Sequence, residues 1–267
     1  MRKLMRFTVG LMAAAVLGFS LYQIGGYLLG YYQSSQMNQR LAEDAVVLLP
    51  TQESAPKTDA DPAEEENTAS TQETYLDETP PLTVDFDVLQ QESPDVIAWL
   101  YSSDTPINLP VVQGKDNDYY LYHMVNGSEN ALGTLFADYR NDGHFQDRNT
   151  IIYGHNIKNG SMFGTLCNYK KQEYYDEHPV MWLLTRDRNY KVELYAGYVT
   201  SSSSEAFGFV QYDEETQALY ETAIEQSTFK ADVKFHPGDR IVTLSTCSYE
   251  FNDARYVLQG KLIPLAN

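Results

Sequence analysis

Arg240-Ile241-Val242-Thr243-Leu244-Ser245-Thr246-Cys247, the polar connector Ser248–Asp253, and Ala254-Arg255-Tyr256-Val257-Leu258 running on to Pro264 decide the fold. Arg240–Thr246 and Ala254–Pro264 are rich in β-branched and apolar residues and are separated by a short polar segment, the pattern of two strands joined as a hairpin. In an antiparallel hairpin the ends next to the connector face each other, so Cys247 and Arg255 become cross-strand neighbours. A thiol at the mouth of a strand is accessible, and a guanidinium beside it favours the thiolate or stabilises an oxyanion.

Working outward, more strand-like runs appear at Ile107–Gln113, Gly133–Tyr139, Asn149–Gly154, Val180–Thr185 and Tyr190–Thr200, with Asp187-Arg188-Asn189 as the turn joining the last two. Helices are predicted near Ser161–Tyr175 and over Asp213–Gln226, where Ala218, Leu219, Ala223 and Ile224 recur at helical spacing. Phe86, Val88 and Leu89, then Val96, Ile97, Trp99 and Leu100, read as short helical faces broken by Ser93-Pro94. Many short strands with a few inserted helices predict a mainly β domain, a closed β-barrel with decorations, over 81–267.

Charge divides the rest. The chain has 267 residues, 37 acids and 19 bases, for a formal charge of −18. Residues 1–40 hold Arg2, Lys3, Arg6 and Arg40 and no acid; residues 41–80 hold eleven acids and one base, Lys57. Such acidity excludes nucleic acid as a partner, because phosphate binding needs a basic surface. Residues 1–6 form a basic N-terminus, and 7–32 form an apolar, uncharged run that as a helix spans about 39 Å. That exceeds the roughly 30 Å of a bilayer core. The run is also longer than the roughly 7–15 apolar residues of a cleaved signal peptide, so it reads as a single-pass signal-anchor. The bases before it place the N-terminus in the cytoplasm and the remainder outside the cell membrane. Residues 33–80 read as an acidic disordered linker, a solvated tether between anchor and barrel.

His155 ends the strand Thr150–Gly154 as Cys247 ends its own. Thiol-dependent acyl transfer needs a nucleophile, a proton donor for the leaving amine and an oxyanion stabiliser, and Cys247, His155 and Arg255 supply one of each. The other candidates are bland. Cys167 belongs to a helix face and to the core, and a disulfide to Cys247 would silence the nucleophile. His123, His144, His178 and His236 lack any metal-ligand spacing, so no metal or other cofactor is expected. Asp138-Tyr139-Arg140-Asn141-Asp142-Gly143 reads as a solvated turn.

Thr243-Leu244-Ser245-Thr246-Cys247, with Ala254-Arg255 and Gly260-Lys261-Leu262, resembles the signature of sortases, the thiol transpeptidases that fix surface proteins to Gram-positive cell walls. Tyr153-Gly154-His155-Asn156 with Gly160–Phe163, and Pro110–Gln113 followed by Asp116–Leu121, resemble class B. The resemblance runs from about Phe86 to Leu262. It implies an eight-stranded barrel with N-terminal helices and an inserted helix before the cysteine strand, roles met by Phe86–Leu100 and Asp213–Gln226. It also implies that Cys247 attacks the threonine carbonyl of a C-terminal sorting signal, giving a thioacyl-enzyme. His155 then protonates the departing amine, and Arg255 holds the substrate and its oxyanion. Asn117, Leu121, Tyr153 and Ser245 fall where class B enzymes line the peptide groove, and a peptidoglycan amine is the implied acceptor. Ser248 stands where some relatives carry a carboxylate, and no carboxylate partner for His155 is evident. Two rival readings are a thiol hydrolase without transfer, and a wall-associated binding module that keeps the barrel without the chemistry.

Overall fold

The computed structural model describes residues 2–49 and 76–266. One long helix, α1 (Arg2–Ala45), leads into β1 (Val46–Leu48), which pairs antiparallel with β2 (Leu82–Val84). The short helix α2 (Phe86–Glu92) follows. Asp85 caps it by accepting the amides of Asp87 and Val88 at 2.9 and 3.2 Å. It ends at Ser93, which Pro94 forces out of helical geometry.

The barrel strands are β3 (Val96–Tyr101), β4 (Asn108–Val112), β5 (Leu135–Ala137) and β6 (Asn149–Tyr153), then β7 (Val180–Thr185), β8 (Asn189–Ser201), β9 (Arg240–Cys247) and β10 (Ala254–Pro264). Helix α3 (Gln172–Glu177) lies between β6 and β7, and α4 (Asp213–Gln226) between β8 and β9. The eight strands close in the order β10-β8-β7-β3-β4-β5-β6-β9, as the resemblance implied. Leu100, Val111, Leu135, Ile152, Leu183, Leu194, Leu244 and Leu258 are buried in the barrel interior cluster, each contributing roughly 1.5–3 kcal/mol by leaving water.

Three expectations change. Val96–Leu100 is strand β3, not a helical face. Ala98 and Leu100 point into the barrel interior while Val96 and Trp99 pack outward against α1 and α2 residues. A strand buried on both faces reads as a continuous apolar run and loses its period-two signature. Ser161–Tyr175 is not one helix: a 3-10 turn at Leu166–Lys170 and α3 are separated by Lys171 in extended conformation.

The third change concerns the linker. Residues 33–45 continue α1 and lie along the barrel, with Leu41 2% and Ala45 3% exposed. Arg40 donates to Glu92 at 2.5 Å, and Asp85 N donates to Ala45 O at 2.8 Å. Leu41, Ala42, Ala45 and Val46 form an apolar stripe among polar neighbours, and that stripe docks the helix. The acidic segment 50–75 lies outside the described residues, but its flanks are paired as β1 and β2. Among the described residues, α1 itself packs on the barrel domain through Leu41 and Ala45.

Candidate active site

β6 and β9 are parallel neighbours, with Tyr153 beside Ser245. Two residues further along each strand lie His155 and Cys247, at the same end of the barrel. β10 runs antiparallel to β9 and places Arg255 directly opposite Cys247, the cross-strand pairing expected from the hairpin. Three adjacent strands thus present imidazole, thiol and guanidinium in one row.

Backbone and amide contacts lock this row. Gly154 N donates to Ser245 O (3.1 Å), Thr246 Oγ1 to Gly154 O (2.8 Å) and Asn156 Nδ2 to Cys247 O (2.7 Å). Gly154 has no room for a side chain, since a Cβ would come within 2.4 Å of Leu135 Cδ2 and 2.7 Å of Phe163 Cδ2. Gly154→Ala is expected to cost about 1–3 kcal/mol by overpacking and to shift His155, read as a lower Tm together with a lower kcat. An unchanged Tm would contradict this packing.

His155 Nε2 lies 2.9 Å from Leu121 O. A carbonyl only accepts, so Nε2 carries the proton and Nδ1 is the nitrogen left for acid–base work. Arg255 gives one N–H to Ala254 O at 3.1 Å. Among the described residues no hydrogen bond joins the Cys247 thiol to the imidazole. Cys247 and Cys167 are both free. Cys167 is half-buried against the core, and burial pushes its thiol pKa up, which makes it a poor nucleophile.

The row opens into a groove of about 830 Å³. One wall is Leu121 and Tyr122; the opposite wall is the segment Ser202–Phe207 after β8; Phe136, Tyr153 and Ser245 line it from the barrel. Asn117, Leu121, Tyr153 and Ser245 all border this cavity, but Asn117 and Tyr153 have their polar atoms engaged elsewhere. Asn117 Nδ2 (3.0 Å) and Tyr153 OH (2.9 Å) both donate to Asp138 Oδ2, and Asn117 Oδ1 accepts Tyr139 N (3.0 Å).

Asp138 is the residue that sequence reasoning misread. It is 1% exposed, not part of a solvated turn. Arg140 forks onto it through Nε (2.8 Å) and a terminal nitrogen (2.7 Å). Burial opposes its ionisation, but the hydrogen bonds from Arg140, Tyr153 and Asn117 prevail and hold its carboxyl down at about 2. The fork leaves Arg140 half-exposed in the groove, reaching Phe207 O at 3.4 Å on the far wall. Phe207 also stacks on Tyr153 with ring centroids 6.2 Å apart. The other missed element is the connector after Cys247. Ser248 bonds to Glu250, and Lys170 pairs with Glu250 and reaches Ser248 Oγ at 3.3 Å, so the loop carrying the thiol is pinned to the 3-10 turn.

A sortase domain model matches residues 103–263. Sortase B of Listeria monocytogenes is 39% identical over 181 residues, covering 66% of this chain and 72% of that protein. The chain belongs to the sortase family, class B. Solved class B sortases superpose accordingly. The B. anthracis sortase B complex with AAEK1 has a TM-score of 0.68 at 31% identity, over 89% of this chain and 99% of that one. The Staphylococcus aureus sortase B–substrate complex has a TM-score of 0.64 at 29% identity, over 68% and 85%. This sortase is a cysteine transpeptidase.

Proposed function

We propose that the enzyme is a membrane-anchored sortase that cleaves a C-terminal sorting signal of surface proteins after threonine and transfers the new acyl group to a peptidoglycan amine. The observation that carries this reading is the row of His155, Cys247 and Arg255 at the open end of three adjacent strands. The Cys247 thiolate attacks the threonine carbonyl, and the electron pair pushed onto oxygen is met by the Arg255 guanidinium. Collapse of the tetrahedral adduct breaks the C–N bond, and protonated His155 gives its Nδ1 proton to the departing amine. The acceptor amine then attacks the thioester, His155 takes up its proton, and Cys247 leaves as thiolate. Leu121 contributes twice, through its side chain on the groove wall and its carbonyl on His155. Ser245 and Tyr153 line the barrel side of the groove, and Asn117 supports it through Asp138.

The apolar part of α1 supports the anchor reading, with residues 1–6 cytoplasmic and the barrel outside the cell. A detergent-solubilised full-length chain offered sorting-type pentapeptides (LPxTG, NPxTN, SPxTG) tests the transfer step. Adding diaminopimelate or oligoglycine should divert the threonine product from free acid to amide, followed by mass spectrometry. Free acid alone with every amine would overturn transfer in favour of hydrolysis.

A further inference from the structure

The anchor helix reaches the catalytic centre through a chain of hydrogen bonds. Asn130 Nδ2 donates to Gly30 O on α1 at 3.0 Å. Asn130 N donates to Tyr122 O at 2.8 Å. The neighbouring carbonyl, Leu121 O, accepts from His155 Nε2 at 2.9 Å. The loop 119–133 that forms one wall of the substrate groove is therefore the same loop that touches the membrane helix.

The height of that contact follows from helix geometry. Residues 10–29 of α1 are exposed along almost their whole length, with Leu17 63% exposed. Twenty residues span about 30 Å, the thickness of a bilayer core. Contact with the barrel begins immediately afterwards, at Gly30 and at Tyr31, which packs against the interior cluster. A span ending at Tyr32 would place these barrel contacts inside the hydrocarbon, so the lipid-facing part ends near Leu29. Beyond it α1 is unbroken to Ala45 and fixed to the barrel by Arg40–Glu92, Leu41 and Ala45. An unbroken helix with contacts along about 22 Å of its length permits little independent motion of barrel and anchor.

We propose that the barrel sits directly on the outer face of the bilayer, with the Asn130 edge of loop 119–133 at headgroup level. Because that loop forms one wall of the groove, the groove then opens beside the membrane. This rests on the anchor reading above, and the test separates the two. Spin labels are placed singly at Leu17→Cys, Glu129→Cys, Ala131→Cys and Glu221→Cys in full-length chain carrying Cys167→Ser and Cys247→Ala, reconstituted in phosphatidylcholine nanodiscs. Collision rates with oxygen and with a water-soluble nickel complex report depth. Leu17 should read as bilayer core. Positions 129 and 131 should show nickel accessibility several-fold below that of 221 on α4, which should read as water. Two loop positions guard against one substitution failing to fold. Core depth at Leu17 with full aqueous accessibility at both 129 and 131 would overturn the seating and leave the anchor intact. Aqueous accessibility at Leu17 would overturn both.

Discussion

Cys247→Ala is expected to abolish peptide cleavage, with kcat/KM falling on the order of 10⁴-fold or more, the scale seen when a covalent nucleophile is removed. The other thiol cannot substitute. Cys167 is half-buried on the 3-10 turn, its ionisation is disfavoured by burial, and its sulfur sits 3.6 Å from Asn156 Nδ2. Cys167→Ser should accordingly leave turnover in place. Arg255→Ala should lose roughly 10²–10³ in kcat, the effect of deleting one oxyanion donor, because Arg255 is the residue registered opposite the thiol. Cys247 is only partly buried at a strand end, so its replacement by Ala should move stability by no more than about 0.5–1 kcal/mol. Loss of activity accompanied by a large drop in Tm would mean that the thiol is structural. Residual cleavage within tenfold of wild type would place the nucleophile elsewhere.

Asp138→Ala is expected to be the most destabilising single change at the site. It removes a buried carboxylate that accepts from Arg140, Tyr153 and Asn117 and leaves those donors without their acceptor. Breaking such a buried pair costs about 3–5 kcal/mol, on the order of a 10 °C fall in Tm for a domain of this size. The groove should suffer with the fold, since Asn117, Tyr153 and Arg140 all line it. The effect has a pH signature. The folded-state carboxyl titrates at about 2, below its unfolded value of about 3.9. Its contribution is fully present above about pH 4–5 and is lost as pH falls through 2, so the stability gap between wild type and variant should narrow over that range by about 2–3 kcal/mol. Chemical denaturation at pH 7 and pH 3 should show about half of this narrowing, roughly 1 kcal/mol. A gap that stays constant with pH would show that Asp138 is not held ionised by its partners.

The juxtaposition of Cys247 and Arg255 was legible because it rests on the most local feature of a sheet. A short polar connector between two strand-like runs places Cys247 across from Arg255, whatever else the barrel does. The strand-end position of His155 was equally readable, but its closeness to Cys247 depends on the parallel pairing of β6 with β9, nearly a hundred residues apart, which only the family resemblance supplied. β3 was hidden because both of its faces are buried. The docking of α1 was hidden because Leu41, Ala42 and Ala45 are a sparse stripe at the edge of an acidic segment whose composition dominates the reading. Asp138 was missed for a related reason: a run of Asp, Arg, Asn and Gly resembles a solvated turn until Arg140, two residues on, folds back onto the carboxylate. The Ser202–Phe207 wall carries no chemical signature of its own and acquires its place from Phe207 stacking on Tyr153.

The most direct test of the account is to catch the covalent intermediate. Full-length enzyme is mixed with a sorting-type pentapeptide substrate without an acceptor amine, quenched in acid, digested and mapped by mass spectrometry. The account predicts an acyl adduct ending in threonine on the peptide that contains Cys247, absent in Cys247→Ala and discharged when an amine is added before the quench. An adduct on the Cys167 peptide, or cleavage with no adduct on Cys247 under any quench, would contradict it.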